Sequence, residues 1–419
     1  MDFDFSDEQR MLQDSVDRLL ADNYGFQERV KILKSAEGFS RAVWAKYAEL
    51  GILGLPFAEA DGGLGGGSVE TMLVMESLGR KLAMEPYLAT VVLAGGALRH
   101  AGSDAQRADL VPQITDGSLL MALAHSERQA RYNLASVKTT ARKDGDGYVL
   151  NGEKTLVLSG DAADRLVVSA RVSGGDTDEA GVGLFLVDAK AAGVTRRGYP
   201  LQDGRRAAEI TLENVKVAGG DVLTADKGVA VVSRVVDEAI AAICAEGYGA
   251  METLTNLTVE YLKTRKQFGV AIGHFQVLQH RAVDMLIATD EAHSMAMFAS
   301  MMSQEPNVAE RRAAISAAKV QLCKSARTVG QEGTQLHGGI GMTMEYEGGH
   351  YFKRLTSTRS SVRFLRVHRR FLELAGHHLA EALEAADLDL AAAGELGLQQ
   401  LVLVGVVARI DILPPWLMR

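Results

Sequence analysis

The strongest constraint on this chain is a hydrophobic period that changes twice along its length. The opening stretch repeats apolar residues at helical spacing. Leu12, Val16, Leu19 and Leu20 share one face, behind Ser6 and Gln9 at capping-box spacing. Between about residues 121 and 217 the pattern becomes short β-branched runs: Val137–Ala141, Tyr148–Leu150, Thr155–Leu158, Leu166–Ala170, Gly183–Val187 and Glu209–Leu212. Asp144-Gly145, Asn151-Gly152 and Asp203-Gly204 punctuate them as hairpin or turn signals. From about residue 226 helices return, over Val229–Lys266, Phe275–Gln304 and Ala309–Gln335, with a shorter one after Gly349. Long helices with short connections predict an antiparallel four-helix bundle. The expected fold is α+β and multidomain. A helical domain over 1–120 precedes a β-barrel or sandwich over 121–225, a helical bundle over 226–375 and an atypical tail over 376–419.

Composition narrows the partners. A net charge of −8 and a pI near 5.8 argue against nucleic acid. Cys244 and Cys323 lie far apart inside helical patterns, which predicts small buried apolar residues and no disulfide framework or zinc site. The acidic start Met1-Asp-Phe-Asp-Phe-Ser-Asp-Glu8 lacks the apolar core of a leader. No run approaches the roughly 18 apolar residues of a membrane span. A cytoplasmic protein off the membrane is expected. The glycine run Asp61–Gly67 has no Lys-Ser/Thr after it and no strand before it, so it reads as a connector ending at Ser68, the expected cap of the next helix. Met295, Met297, Met301 and Met302 read as bundle core.

Two segments carry the chemistry. Arg265-Lys-Gln-Phe-Gly269, with Phe275-Gln276, lies 70 residues before Gln335-Leu-His-Gly-Gly-Ile-Gly341. A pyrophosphate needs a fixed cation, and adjacent glycines admit main-chain amides where a Cβ would collide. Together the segments resemble the flavin-adenine-dinucleotide signature of the acyl-CoA dehydrogenase family, as does the order helices, β domain, helices. The resemblance covers about residues 1–356. It implies FAD as cofactor, an acyl-CoA thioester as substrate and an electron-transferring flavoprotein as acceptor. It assigns Arg265, Gln267, Phe268, Gln276, Gln335, Gly338 and Gly339 to the cofactor.

In that family a carboxylate removes the α-proton of the thioester while hydride passes from the β-carbon to the flavin. One site for this base lies ten residues before the glycine matching Gly249, which is Ala239 here; the other matches Val362. Neither is acidic. Asp237 and Glu238 flank the first site, but one step along a helix turns a side chain by about 100°. Glu238 is the one candidate base. The family's flavin-facing Thr-Glu-Pro-Gly-Ala-Gly-Ser-Asp segment is Ser126–Asn133 here, keeping the hydroxyl, Glu127 and Ala130. Its Trp-Ile-Thr strand is Leu156-Val157-Leu158, so the hydroxyl near the flavin ring is missing.

Groups that grip the dinucleotide survive, while groups that perform the redox step do not. This pattern is similar to the small subunit of pimeloyl-CoA-type dehydrogenases, which are α2β2 heterotetramers. It implies a catalytic large subunit as partner, completed by this chain. A self-sufficient homotetramer, a flavin monooxygenase on the same scaffold and a cofactor-free structural partner remain open. After Thr356 the sequence changes character, with Arg359, Arg363, Arg366, Arg369 and Arg370 and no acid from Ser357 to Phe371. Codons for Phe364-Leu-Arg-Val-His-Arg-Arg370, read one base later, can give Ser-Phe-Gly-Tyr-Thr-Asp-Asp, close to the Phe-Gly-x-Thr-Asp of small-subunit relatives. A frame shift from about residue 357 is expected.

Overall fold

The computed structural model describes residues 5–361; Val362 and the expected tail lie outside the described residues. Helices α1 (Asp7–Asn23), α2 (Phe26–Leu33), α3 (Arg41–Glu49) and α4 (Ser68–Arg80) open the N-terminal part. A π-helical stretch, Leu88–Ala94, then runs into α5 (Gly95–Ala101), followed by α6 (Asp104–Thr115). Their ends are set locally. Ser40 accepts from the Val43 N–H at the start of α3, and Ser103 with Gln106 forms a capping box on α6. At α4 the expectation was off by one. Gly67 is the cap, because the Glu70 carboxylate takes the Gly67 N–H at 2.7 Å and leaves Ser68 as the first helical residue. The glycine run is a connector whose Gly63 and Gly66 amides donate to Ala58 and Leu55 carbonyls.

The middle part is one eight-stranded sheet. Strands β1 (Met121–Ala124), β2 (Thr140–Asp144), β3 (Gly147–Leu158), β4 (Arg165–Arg171), β5 (Val182–Asp188), β6 (Val194–Pro200), β7 (Arg206–Val217) and β8 (Val222–Thr224) follow in sequence. The order is β6-β7-β3-β2-β4-β5-β8, with β1 parallel to β4. One pair, Thr140↔Arg171, joins the β6-β7-β3-β2 half to the β4-β5-β8 half. Leu150, Ile210 and Leu212 of the first half share a core with Leu166, Val168 and Phe185 of the second, as in a sandwich.

Asn151-Gly152 is not a turn. Tyr148–Leu150 and Thr155–Leu158 belong to the single strand β3, and register shifts between Leu150 and Gly152 absorb the glycine as a bulge. Gly152 sits at φ 152°, and a Cβ there would lie 2.6 Å from Thr139 Cα. Strand β6 escaped the sequence reading because its exposed Thr-Arg-Arg-Gly run lacks an apolar alternation.

The C-terminal part is α7 (Gly228–Thr264), a short hairpin of β9 (Lys266–Gln267) and β10 (Val270–Ala271), then α8 (Gln276–Met302), α9 (Val308–His337) and α10 (Glu347–Ser361). These four helices are the expected bundle. Helix α7 packs against α4, α8, α9 and α10, which explains its long buried sequence. Helix α8 buries Ala288, Ala292, Ala296 and Ala299 and exposes Val283, Leu286 and Ile287. Met295, Met297, Met301 and Met302 are half-buried, so they flank the core and do not fill it. A buried ionic cluster ties α10 to the β6–β7 turn and to α7. Arg354, wholly buried, lies 2.9 Å from Asp203 and 2.5 Å from Glu246, while Arg205 donates to Asp203 at 2.7 Å.

Candidate active site

Helix α7 ends where its sequence turns polar. Arg265 caps it in extended backbone, with its N–H still on the Tyr261 carbonyl at 2.8 Å. The β9–β10 hairpin then reverses at Phe268 and Gly269, both at positive φ, 55° and 82°. A phenylalanine in the left-handed region is strained, and this one is 91% exposed, edge-on to Phe275 at 6.1 Å. Helix α9 ends at Gly338, whose φ of 62° admits glycine most easily. A Cβ at Gly338 or Gly339 would meet nothing within 4 Å, so both backbones face open space.

The two segments meet through their helices. The Tyr261 ring, one turn before Arg265, packs on His337 at 4.6 Å, and His337 is fixed by Gly333 O and the Tyr346 hydroxyl. Arg265, Gln267, Phe268, Gln276, Gln335, Gly338 and Gly339 are all exposed. An exposed guanidinium and bare glycine backbone are each chemically suited to a pyrophosphate, and an exposed aromatic to a flat ring.

The α7 position matched to the base and the two acids beside it offer no free carboxylate. Ala239 is fully buried. Asp237 is buried against Arg311 at 2.8 Å, and burial pushes its carboxyl up despite that cation. Glu238 is clamped by Arg99 at 2.8 Å, His100 at 2.8 Å and Arg234 at 3.1 Å. Burial would raise its pKa, but the His100 hydrogen bond and the charges of Arg99 and Arg234 hold it at about 2. Such a carboxylate is a poor proton acceptor near neutral pH. It lines a cleft with Pro56, Met72, Val92, Arg99 and Ala242, and its clamp ties α5 to α7. The clamp was not legible in the sequence, because Arg99 and His100 are 139 and 138 residues away.

In the segment expected to face the flavin, β3 leaves register between Lys154 and Val157. Leu156 and Ser159 there sit at φ 52°. Leu158, which replaces the expected hydroxyl, is half-buried. Beneath this bend lies an ion pair that sequence reasoning missed, Lys154 with Glu127 at 2.7 Å. Its one signal was that Glu127 is among the three family features retained in Ser126–Asn133.

Comparison with known proteins places the whole described chain. The N-terminal, middle and C-terminal domains of acyl-CoA dehydrogenases match residues 6–118, 122–215 and 226–361. Mitochondrial isovaleryl-CoA dehydrogenase of Pongo abelii is 31% identical over 288 residues, 67% of this chain and 68% of that one. A variant of the Tcur3481-Tcur3483 steroid ACAD superposes with a TM-score of 0.78 at 29% identity, covering 90% of this chain and 99% of that one. The ChsE4-ChsE5 complex from Mycobacterium tuberculosis shares the fold at a TM-score of 0.78 and 24% identity, covering 91% and 99%. The chain belongs to the acyl-CoA dehydrogenase family, FAD-dependent oxidoreductases that act on the CH–CH bond of acyl-CoA thioesters.

Proposed function

We propose that this chain is a subunit of an FAD-dependent dehydrogenase of acyl- or dicarboxylyl-CoA, and that it completes a partner's cofactor site without supplying the proton-abstracting base. One observation carries the reading. The dinucleotide-grip residues stand exposed on the surface, while the α7 carboxylate that would act as base is locked among three basic side chains. FAD, when bound, would supply the acceptor for the hydride of the substrate β-carbon. The chain's own part is binding: Arg265 neutralises phosphate charge, and Gly338-Gly339 admits the cofactor to main-chain amides. Gln267, Gln276 and Gln335 offer side-chain amides, and Phe268 offers a ring for stacking.

The partner is a catalytic large subunit of the same family in an α2β2 assembly, with an electron-transferring flavoprotein as acceptor. The ChsE4-ChsE5 likeness is consistent with two different chains sharing this fold. A self-sufficient homotetramer using Glu238, a flavin monooxygenase and a cofactor-free structural partner are the competing readings.

The test is spectroscopic. The chain is expressed alone and with the neighbouring gene's product, and each is mixed with an acyl-CoA. Yellow colour and bleaching only in the pair support the proposal; bleaching by the lone chain refutes it. Arg265→Ala in the pair is expected to lower FAD occupancy, and full occupancy would overturn the phosphate assignment.

A further inference from the structure

We propose that Cys323 and Lys319 form a redox-modification site on α9, in which hydrogen peroxide joins the thiol sulfur to the lysine nitrogen as a reversible sulfenamide. The site lies outside the cofactor-grip segments and is independent of the subunit role proposed above.

Helices α7 and α9 run side by side in the same direction. Asp237 meets Arg311 at 2.8 Å towards one end, and Tyr261 meets His337 at 4.6 Å towards the other. Between these contacts the helices close up, so that a Cβ on Gly247 would lie 3.0 Å from Leu322. Cys244 of α7 and Lys319 and Cys323 of α9 share this stretch, near enough for their charges to act on one another. Lys319 and Cys323 are four residues apart, so one face of α9 carries both. The Lys319 side chain is wholly buried. Its ammonium donates to the Thr358 carbonyl of α10 at 3.0 Å and to the Cys323 sulfur. Among the described residues no carboxylate lies within ion-pair distance of Lys319. Glu246 acts on it only from farther away, because Arg354 holds that carboxylate at 2.5 Å. A buried ammonium without a carboxylate is costly, and burial pulls the Lys319 pKa down.

The two thiols differ in what they offer an oxidant. Reactive cysteines sit in partly exposed, electropositive surroundings. Cys323 is half-buried beside the Lys319 cation and meets both conditions. Cys244 is sealed, and burial pushes its thiol up to about 12, so it stays protonated and unreactive. The reaction removes charge from the core. The Cys323 thiolate takes one oxygen from hydrogen peroxide and becomes a sulfenic acid, while hydroxide leaves. That hydroxide accepts a proton from the Lys319 ammonium, giving water and a neutral amine. The amine attacks the sulfenic sulfur: an N–S bond forms, the S–O bond breaks and a second water leaves. Sulfur is oxidised and peroxide reduced, and a buried ammonium–thiolate pair becomes one neutral group. Sulfenic acids condense with nitrogen as well as with thiols, and Lys319 already touches this sulfur.

The test treats the purified full-length protein with hydrogen peroxide and maps its tryptic peptides by mass. The expected product is the peptide from Ala313 to Lys324, uncut at Lys319 and lighter by two hydrogens. Dithiothreitol added before digestion restores both the mass and the cut. In Lys319→Met the mass loss disappears, and dimedone, which traps sulfenic acids, labels Cys323. Cys323→Ser removes only the sulfur, and under peroxide its cut after Lys319 persists; this variant decides the matter if the lysine variant folds poorly. Three results overturn the proposal. They are a Cys323 that remains a thiol, one that gains oxygen while trypsin still cuts after Lys319, and one that is linked to the Cys244 peptide.

Discussion

Glu76 supplies the sharpest physical prediction. Its side chain on α4 is 2% exposed, and one carboxylate oxygen has no hydrogen-bond partner among the described residues. The other takes a 3.2 Å hydrogen bond from Gln13 and a long 3.5 Å contact from Arg80, which is shared with Glu252 at 2.6 Å and Asp17 at 3.2 Å. His293, stacked on Tyr248 at 4.1 Å, lies 3.6 Å from the unpartnered oxygen. Burial pushes the carboxyl from 4.5 up to about 8, with Arg80 opposing and Glu252 reinforcing. The folded state therefore holds a proton that the unfolded chain releases between pH 4.5 and about 8. Stability from this group is fully present below pH 4.5 and is lost as pH rises through about 8.

The span from 4.5 to about 8 corresponds to at most about 5 kcal/mol at 1.36 kcal/mol per pH unit. Glu76→Gln places a neutral amide where the protonated acid stood. The variant is expected to match the parent near pH 5. At pH 9 it should melt several degrees higher, at roughly 2 °C per kcal/mol for a chain of this size. Thermal denaturation of both proteins from pH 5 to 9 is the assay. Parallel pH profiles would show that Glu76 is charged when buried and that the reasoning is wrong.

Two further substitutions probe the ionic framework. Arg354→Met strands Asp203 and Glu246 beside α10, and should lower the unfolding free energy by about 3–5 kcal/mol; a denaturation midpoint within experimental error of the parent would contradict the buried cluster. Glu238→Gln should loosen the α5–α7 clamp by about 1–3 kcal/mol yet leave the rate of flavin bleaching by acyl-CoA in the complex unchanged. A hundredfold or greater fall in that rate would restore Glu238 as the base.

The sequence by itself determined the element types and their order. Apolar spacing of 3.6 over Val229–Lys266 and of 2 over Leu166–Ala170 is a local property, legible because each element must bury one face. The Arg265–Gly269 and Gln335–Gly341 segments stood out by resemblance, while the left-handed backbone at Gly338 and the hairpin turn at Phe268-Gly269 came from the structure. The fate of the charged residues was not legible. Nothing local to Glu238, one residue off the position matched to the base, announced the clamp that Arg99 and His100 of another helix close on it. Glu127 and Lys154 looked like ordinary polar residues until β1, β3 and β4 brought them together in a site sealed from water. A carboxylate's proton affinity depends on burial and on charges within a few ångströms, and those neighbours come from distant segments of chain. Only the tertiary structure decides them.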